Sequence, residues 1–203
     1  MAGRKQFDVD AAVERAMLVF WQQGYTDASL DALGSATGLG RGSLYGTFGS
    51  KDALFRRCLD RYAAHYGARY DHALMAHPGE PARLVEAFLD VTLRRIADPA
   101  VPAGCLIAQS LAQLPVLTPD SAAHVRDLLQ AQRSRLRAAF TGLRAEPHVL
   151  DDLSTYVVAV NQSLAVLSRA GSPAAELRTV AALAARTVGS TRPPATADSV
   201  AAE

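Results

Sequence analysis

Arg41, Ser43, Tyr45 and Thr47 fall within the short segment RGSLYGTF, interleaved with two glycines, Leu44 and Phe48. A guanidinium and three hydroxyls can hydrogen-bond phosphate oxygens or the edges of bases. Leu44 and Phe48 stand four apart and share one face of a helix, which leaves the polar groups and Gly42 displayed on the rest. Behind them Ser50 and Lys51 open the next periodic segment, where free helix amides and an ammonium suit a phosphate. A second chemistry belongs to Cys105. It follows Pro102-Ala103-Gly104 and opens an apolar segment, and a thiol at a helix N-terminus has its thiolate stabilised. Cys58 sits on an apolar helix face and reads as core. His65, His72 and His77 near Asp71 do not make a metal site, because His65 and His72 lie about 10 Å apart along a helix. No Ser-centred nucleophile elbow, phosphate-binding glycine loop or zincin motif is present, so no catalytic residues and no cofactor are expected.

The elements that must hold these groups are helical. Apolar residues recur at helical spacing almost throughout the 203 residues, and alternating β-branched runs are missing, so the fold class is all-α with about nine helices. A hydrophobic content of 49% supports a real core, and the net charge of +1 leaves any case for nucleic acid a local one. No run reaches the roughly 18 apolar residues of a membrane span, and MAGRKQFD lacks a signal-peptide core, so the expectation is a cytoplasmic protein with no membrane partner. The two cysteines have no CxxC spacing and read as reduced thiols.

Asp8 caps a first helix with Val9, Val13, Ala16, Met17 and Phe20 on one face, ended by Gly24. Ser29 caps a second helix that turns Leu30 and Leu33 inward and stops at Gly38. The quoted segment is the third. Two short helices joined by Gly38-Leu39-Gly40, the second displaying polar and aromatic groups, describe a helix-turn-helix, whose second helix fits the DNA major groove. Gly42 and Gly46 weaken that helix by roughly 1 kcal/mol each but permit close approach. Arg4 and Lys5 form an arm that can reach a phosphate or the minor groove. A fourth helix begins at Ser50, with Leu54, Phe55, Cys58, Leu59, Tyr62 and Tyr66 on its buried side.

The run from Phe20 to Phe55, FWQQGYTDASLDALGSATGLGRGSLYGTFGSKDALF, resembles the N-terminal DNA-binding domain of TetR/AcrR-type transcriptional repressors. The resemblance implies a homodimer that reads a pseudo-palindromic double-stranded operator, with a larger helical domain that binds a small-molecule effector and releases DNA. It places Arg41, Gly42, Ser43, Tyr45 and Thr47 against DNA and Thr26, Ser29 and Lys51 against phosphates. Gly40 stands where the family often has a Ser or Thr cap, and Gly46-Thr47 replaces a bulkier pair. The implied organisation is a reader over residues 1–50, a ligand-binding and dimerisation domain over 51–188 whose connecting helix is 51–75, and a disordered tail over 189–203.

Later helices are expected at Pro81 to Ala97, Cys105 to Leu114, Pro119 to Gly142, His148 to Ala170 and Pro173 to Val188. Tyr156, Val157, Val160, Leu164 and Leu167, with Leu177 and Val180 of the last helix, form apolar stripes that fit either a dimer interface or intramolecular core. Gln109, Gln113 and Asn161 are polar residues on apolar stretches and are candidates for orienting a ligand. The string GCLIAQSLAQL looks like the segment of a TetR subgroup that includes N-ethylmaleimide-responsive repressors, which makes Cys105 a candidate redox or electrophile sensor. A helical ligand-binding protein with vestigial DNA binding is the remaining alternative.

Overall fold

The computed structural model describes residues 8–143 and 145–190. Arg4, Lys5 and the tail expected beyond Ser190 lie outside the described residues. Among those described there are nine α-helices and no strand, so the all-α expectation holds. They are α1 (Val9–Asp27), α2 (Leu30–Thr37), α3 (Arg41–Phe48), α4 (Lys51–Met75), α5 (Pro81–Ala97), α6 (Leu106–Ala112), α7 (Pro119–Ala139), α8 (Pro147–Arg169) and α9 (Ala174–Gly189).

Local chemistry sets the early boundaries. Asp8, Ser29 and Ser50 each accept a backbone N–H three residues on, from Ala11, Ala32 and Ala53, so one orphan donor of each helix is satisfied. Gly38, at φ +73°, ends α2 in the left-handed conformation that a side chain would strain. Val9, the first residue of α1, is more exposed than its place on the apolar stripe implies, at 37%.

Downstream, two helices end earlier than periodicity extends them. α6 stops at Ala112, and Leu114–Val116 is a short 3-10 turn around Pro115. α7 gives way to another such turn at Phe140–Gly142. Gly189, expected to open the tail, is instead the last residue of α9. A Cβ there would come within 2.7 Å of the Ala82 side chain, so the missing side chain lets α9 close on α5.

α4 is the spine of the molecule. Its 25 residues span about 37 Å at 1.5 Å per residue. The first half packs Leu54, Phe55, Cys58 and Leu59 on α1, where Phe20 meets Phe55 with ring centroids 5.0 Å apart. The second half carries Tyr62, Tyr66 and Tyr70 into the space between α5, α6 and α7. Phe88 packs against Tyr70 from the α5 side, with ring centroids 4.5 Å apart and the planes tilted by 30°. One continuous buried cluster therefore joins both halves, from Ala12 to Val188.

Candidate nucleic-acid interface

α3 is held by two residues and displays the others. Leu44 and Phe48 are 4% and 5% exposed, whereas Arg41, Gly42, Ser43, Tyr45 and Gly46 are exposed and Thr47 is half-buried. Gly40 provides no side-chain cap, so the first turn of α3 keeps its amides free. Nothing stands within 4 Å of the position a Cβ would occupy at Gly42 or Gly46.

The neighbouring groups complete a donor-rich edge. The Arg41 guanidinium forks onto Asp31 of α2, with Nε and Nη2 2.8–3.0 Å from the carboxylate oxygens. Both side chains are exposed, so the pair is readily exchanged for a phosphate or a base. Lys51 lies with its Nζ 4.7 Å over the Tyr25 ring and donates to the Thr26 carbonyl at 3.3 Å. Burial lowers its pKa from the usual lysine value, with Asp27 acting in the opposite direction. The Ser29 hydroxyl accepts from Ala32 as a cap and still has its own hydrogen to donate.

Behind this edge, α1 is broken and then completed from elsewhere in the chain. Gly24 adopts φ +83° and ψ 173°, interrupting α1 before its last turn to Asp27. A continuous helix would return the Tyr25 amide to Trp21. Here that amide donates to Gln113 Oε1 at 2.7 Å instead. The Trp21 and Gln22 carbonyls accept from Arg169 of α8 at 3.0 and 3.1 Å, and Arg169 also donates to Gln109 Oε1 at 3.0 Å. Gly24 is required by its φ, and a Cβ there, 2.6 Å from the Gln113 amide nitrogen, would push that side chain off the Tyr25 amide. Gln109 and Gln113, candidates for ligand contact, are thus committed to a joint between α6, α8 and the end of α1. A second joint forms at Asp52, which accepts from Ser121 of α7 at 2.6 Å and from its N-cap Thr118 at 2.8 Å and pairs with Arg56. Burial alone would raise the Asp52 carboxyl, but those hydrogen bonds and the guanidinium hold it below the usual carboxylate range.

Between α4, α5, α6 and α7 lies a cavity of about 150 Å³, bordered by Tyr62, Tyr66, Tyr70, Arg95, Cys105 and Gln132 among others. Neither Gln109 nor Gln113 lines it. Asn161 is buried beside it and accepts from Thr92 Oγ1, which in turn bonds the Tyr70 hydroxyl. Cys105 precedes the first turn of α6 but is 5% exposed, and its sulfur accepts from the Tyr62 hydroxyl at 3.1 Å. Burial pushes the Tyr62 phenol well up, so it stays protonated. Cys58 is fully buried, and burial pushes its thiol up as well. Arg95 and Arg169, both central here, were not singled out by sequence reasoning. For Arg95 a signal existed: it continues the Leu84, Phe88, Thr92 stripe of α5, a charge at a core position.

The dimer stripe divides. Val157, Leu164 and Leu177 are at most 1% exposed and belong to this chain's own core, because the face of α8 and α9 that carries them packs on neighbouring helices. Val160 and Val180 are half-buried against that core. Tyr156 and Leu167 stay exposed, with Val166 and Leu183 at 59% and 51%.

An anchored α3 displaying donors, set at a glycine turn against α2 and backed by a phosphate-suited α4 N-terminus, is the reading head of a helix-turn-helix DNA-binding regulator. The chain matches the family described as bacterial regulatory proteins, tetR family, over residues 12–58. It is 29% identical over 185 residues to the HTH-type transcriptional repressor ComR of Escherichia coli (strain K12), covering 87% of each chain. A cysteine mutant of the TetR family transcriptional regulator CifR, solved with a 26-base-pair operator DNA, is 31% identical, with a TM-score of 0.75 over 90% of this chain and 97% of that one. The reduced form of NemR from E. coli shares the fold, with 19% identity and a TM-score of 0.74 over 88% and 95% of the two chains. The protein belongs to the TetR family of bacterial transcriptional regulators.

Proposed function

We propose that the protein is a homodimeric one-component repressor, with a reader over residues 1–50 that grips a pseudo-palindromic operator and a sensor over 51–188 that releases it on binding a small molecule. The observation that carries this reading is the broken end of α1. The reader's backbone is completed by Gln113 and Arg169, side chains of the C-terminal helical half, so a shift of α6 or α8 moves the reader. In each half-site α3 lies in the major groove with Arg41, Ser43, Tyr45 and Thr47 toward the bases and flanking phosphates. Thr26, Ser29 and Lys51 hold phosphates at the edge, and Gly42 and Gly46 allow close approach.

Dimerisation uses the outer faces of α8 and α9. Tyr156, Val166, Leu167 and Leu183 are exposed apolar groups that a second copy would cover. The effector enters the cavity among α4, α5, α6 and α7, next to the helices that carry both joints. A thiol-mediated route is the second reading, favoured by the placement of Cys105 on the wall of that same cavity. Under it, Cys105→Ser abolishes release by electrophiles and leaves release by a reversible ligand intact.

The test is fluorescence anisotropy on labelled DNA from beside the protein's own gene against a scrambled duplex, at about 150 mM salt. The reading expects a preference of roughly a thousandfold or more. Equal, weak binding to every duplex from a genome-wide selection refutes it.

A further inference from the structure

Arg95 is 2% exposed on α5, yet no carboxylate among the described residues pairs with it. Its Nε donates to the Gly104 carbonyl at 3.2 Å and its Nη1 to the Tyr70 hydroxyl at 3.1 Å. The guanidinium lies 5.2 Å from the Tyr66 ring centroid and 6.0 Å from that of Tyr62. Its Nη2 has no partner at all. A buried guanidinium normally finds a carboxylate, since neutral acceptors and ring faces do not cancel its charge.

The hydrogen-bond order around it closes off the protein's own acceptors. Thr92 gives its hydroxyl hydrogen to Asn161 Oδ1, so the Tyr70 hydroxyl donates to Thr92 and accepts from Arg95. Every hydrogen in the chain Arg95, Tyr70, Thr92, Asn161 points the same way, and its start is the cation. Tyr62 spends its hydrogen on the Cys105 sulfur. Gln132, also on the cavity wall, has its carbonyl oxygen occupied by Gln162. Around the cavity stand the Arg95 guanidinium, the Gln132 and Arg135 side chains, three tyrosines, and the apolar side chains of Ile107, Leu128 and Ala131.

We propose that the cavity beside Arg95 binds a compact organic carboxylate, its carboxylate on the Arg95 guanidinium and its short apolar or aromatic body between Tyr62, Tyr66, Tyr70 and Leu128. This rests on the reading of the cavity as the effector site and names the class of effector. Size limits the body, since a cavity of roughly 150 Å³ accommodates a molecule of about benzene's dimensions. Charge sets the head group. Arg135, which pairs with Asp71 and whose guanidinium lies against Gly67 at the cavity edge, adds a second cation at the mouth.

The experiment is isothermal titration calorimetry on the full chain without DNA, using sodium benzoate and sodium butyrate, their amides, and sodium chloride. At least one carboxylate is expected to bind saturably, at least about tenfold tighter than its amide, with chloride giving no saturable heat. Arg95→Gln should lose about tenfold or more for the carboxylate while leaving the amide unchanged, and Arg95→Lys should fall between. The comparison of acid with amide on the unaltered protein keeps the test valid should either variant fail to fold. Equal binding of acid and amide, binding of neither, or a chloride response matching the carboxylate's overturns the proposal. Anisotropy on operator DNA is then run with the same carboxylates. Binding without release would leave the anion site standing and remove its role as effector site; absence of binding would leave the DNA-binding reading untouched.

Discussion

Replacing Arg169 with alanine tests the joint between the two halves most directly. The side chain donates to the carbonyls of Trp21 and Gln22 and to Gln109, and the break at Gly24 has already taken the Tyr25 amide away from Trp21. Hydrogen bonds from a charged donor contribute about 1.5–3 kcal/mol each when dry, but water reaches this edge, so the combined loss is placed at about 1–2 kcal/mol. For a chain of this size that corresponds to a fall in Tm of roughly 2–8 °C. The chain's one tryptophan, Trp21, lies 5.0 Å from Tyr62 and reports the packing of α1 on α4. In urea, wild-type protein should unfold with coincident midpoints by Trp21 fluorescence and by helix circular dichroism. Arg169→Ala should lower the fluorescence midpoint first and separate the two curves. Arg169→Lys keeps the charge but not the fork that spans two carbonyls, so it should recover only part of the loss. Unchanged midpoints by both probes in Arg169→Ala would refute the reasoning that this side chain holds the end of α1.

Other expectations concern the reading edge, pH and assembly. Lys51→Ala should weaken DNA binding across all sequences and reduce the slope of log K against log salt by about 0.9, whereas Tyr45→Phe should weaken binding with little change in slope. The Asp52 carboxyl is depressed in the folded protein, so its stabilisation is complete above the unfolded value of about 4 and disappears as pH falls through the folded value below it. Urea midpoints measured from pH 6 downward should therefore drop more steeply below pH 4 in the wild type than in Asp52→Asn. Leu183→Arg should convert a dimer to a monomer in analytical ultracentrifugation while leaving the helical content unchanged, because half of the Leu183 surface faces solvent in the single chain.

The reading end of the molecule was legible because its determinants are local. Asp8, Ser29 and Ser50 cap helices within three residues of themselves, and Leu44 with Phe48 mark the buried side of α3 by spacing alone. The C-terminal half resisted because its polar residues find partners far away in the chain. Gln113 meets Tyr25 across 88 residues and Arg169 meets Trp21 across 148, distances at which periodicity carries no information. α8 is apolar on more than one face, so a hydrophobic stripe could not say which part covers the chain's own core. Val157 and Leu164 turned inward; Tyr156 and Leu167 did not. Cys105 was placed correctly at the start of α6, but its burial beneath Tyr62 depends on α4 and had no signal in its neighbours.

The open space around Gly42 and Gly46 makes α3 an exchangeable part. No internal neighbour stands within 4 Å of a Cβ at either position, so a small side chain can be installed there without disturbing Leu44 or Phe48. Alanine at either site would even favour the helix by roughly 1 kcal/mol. Under the proposed function, operator preference can therefore be varied at two residues, with the C-terminal helices, the cavity and both joints carried over intact.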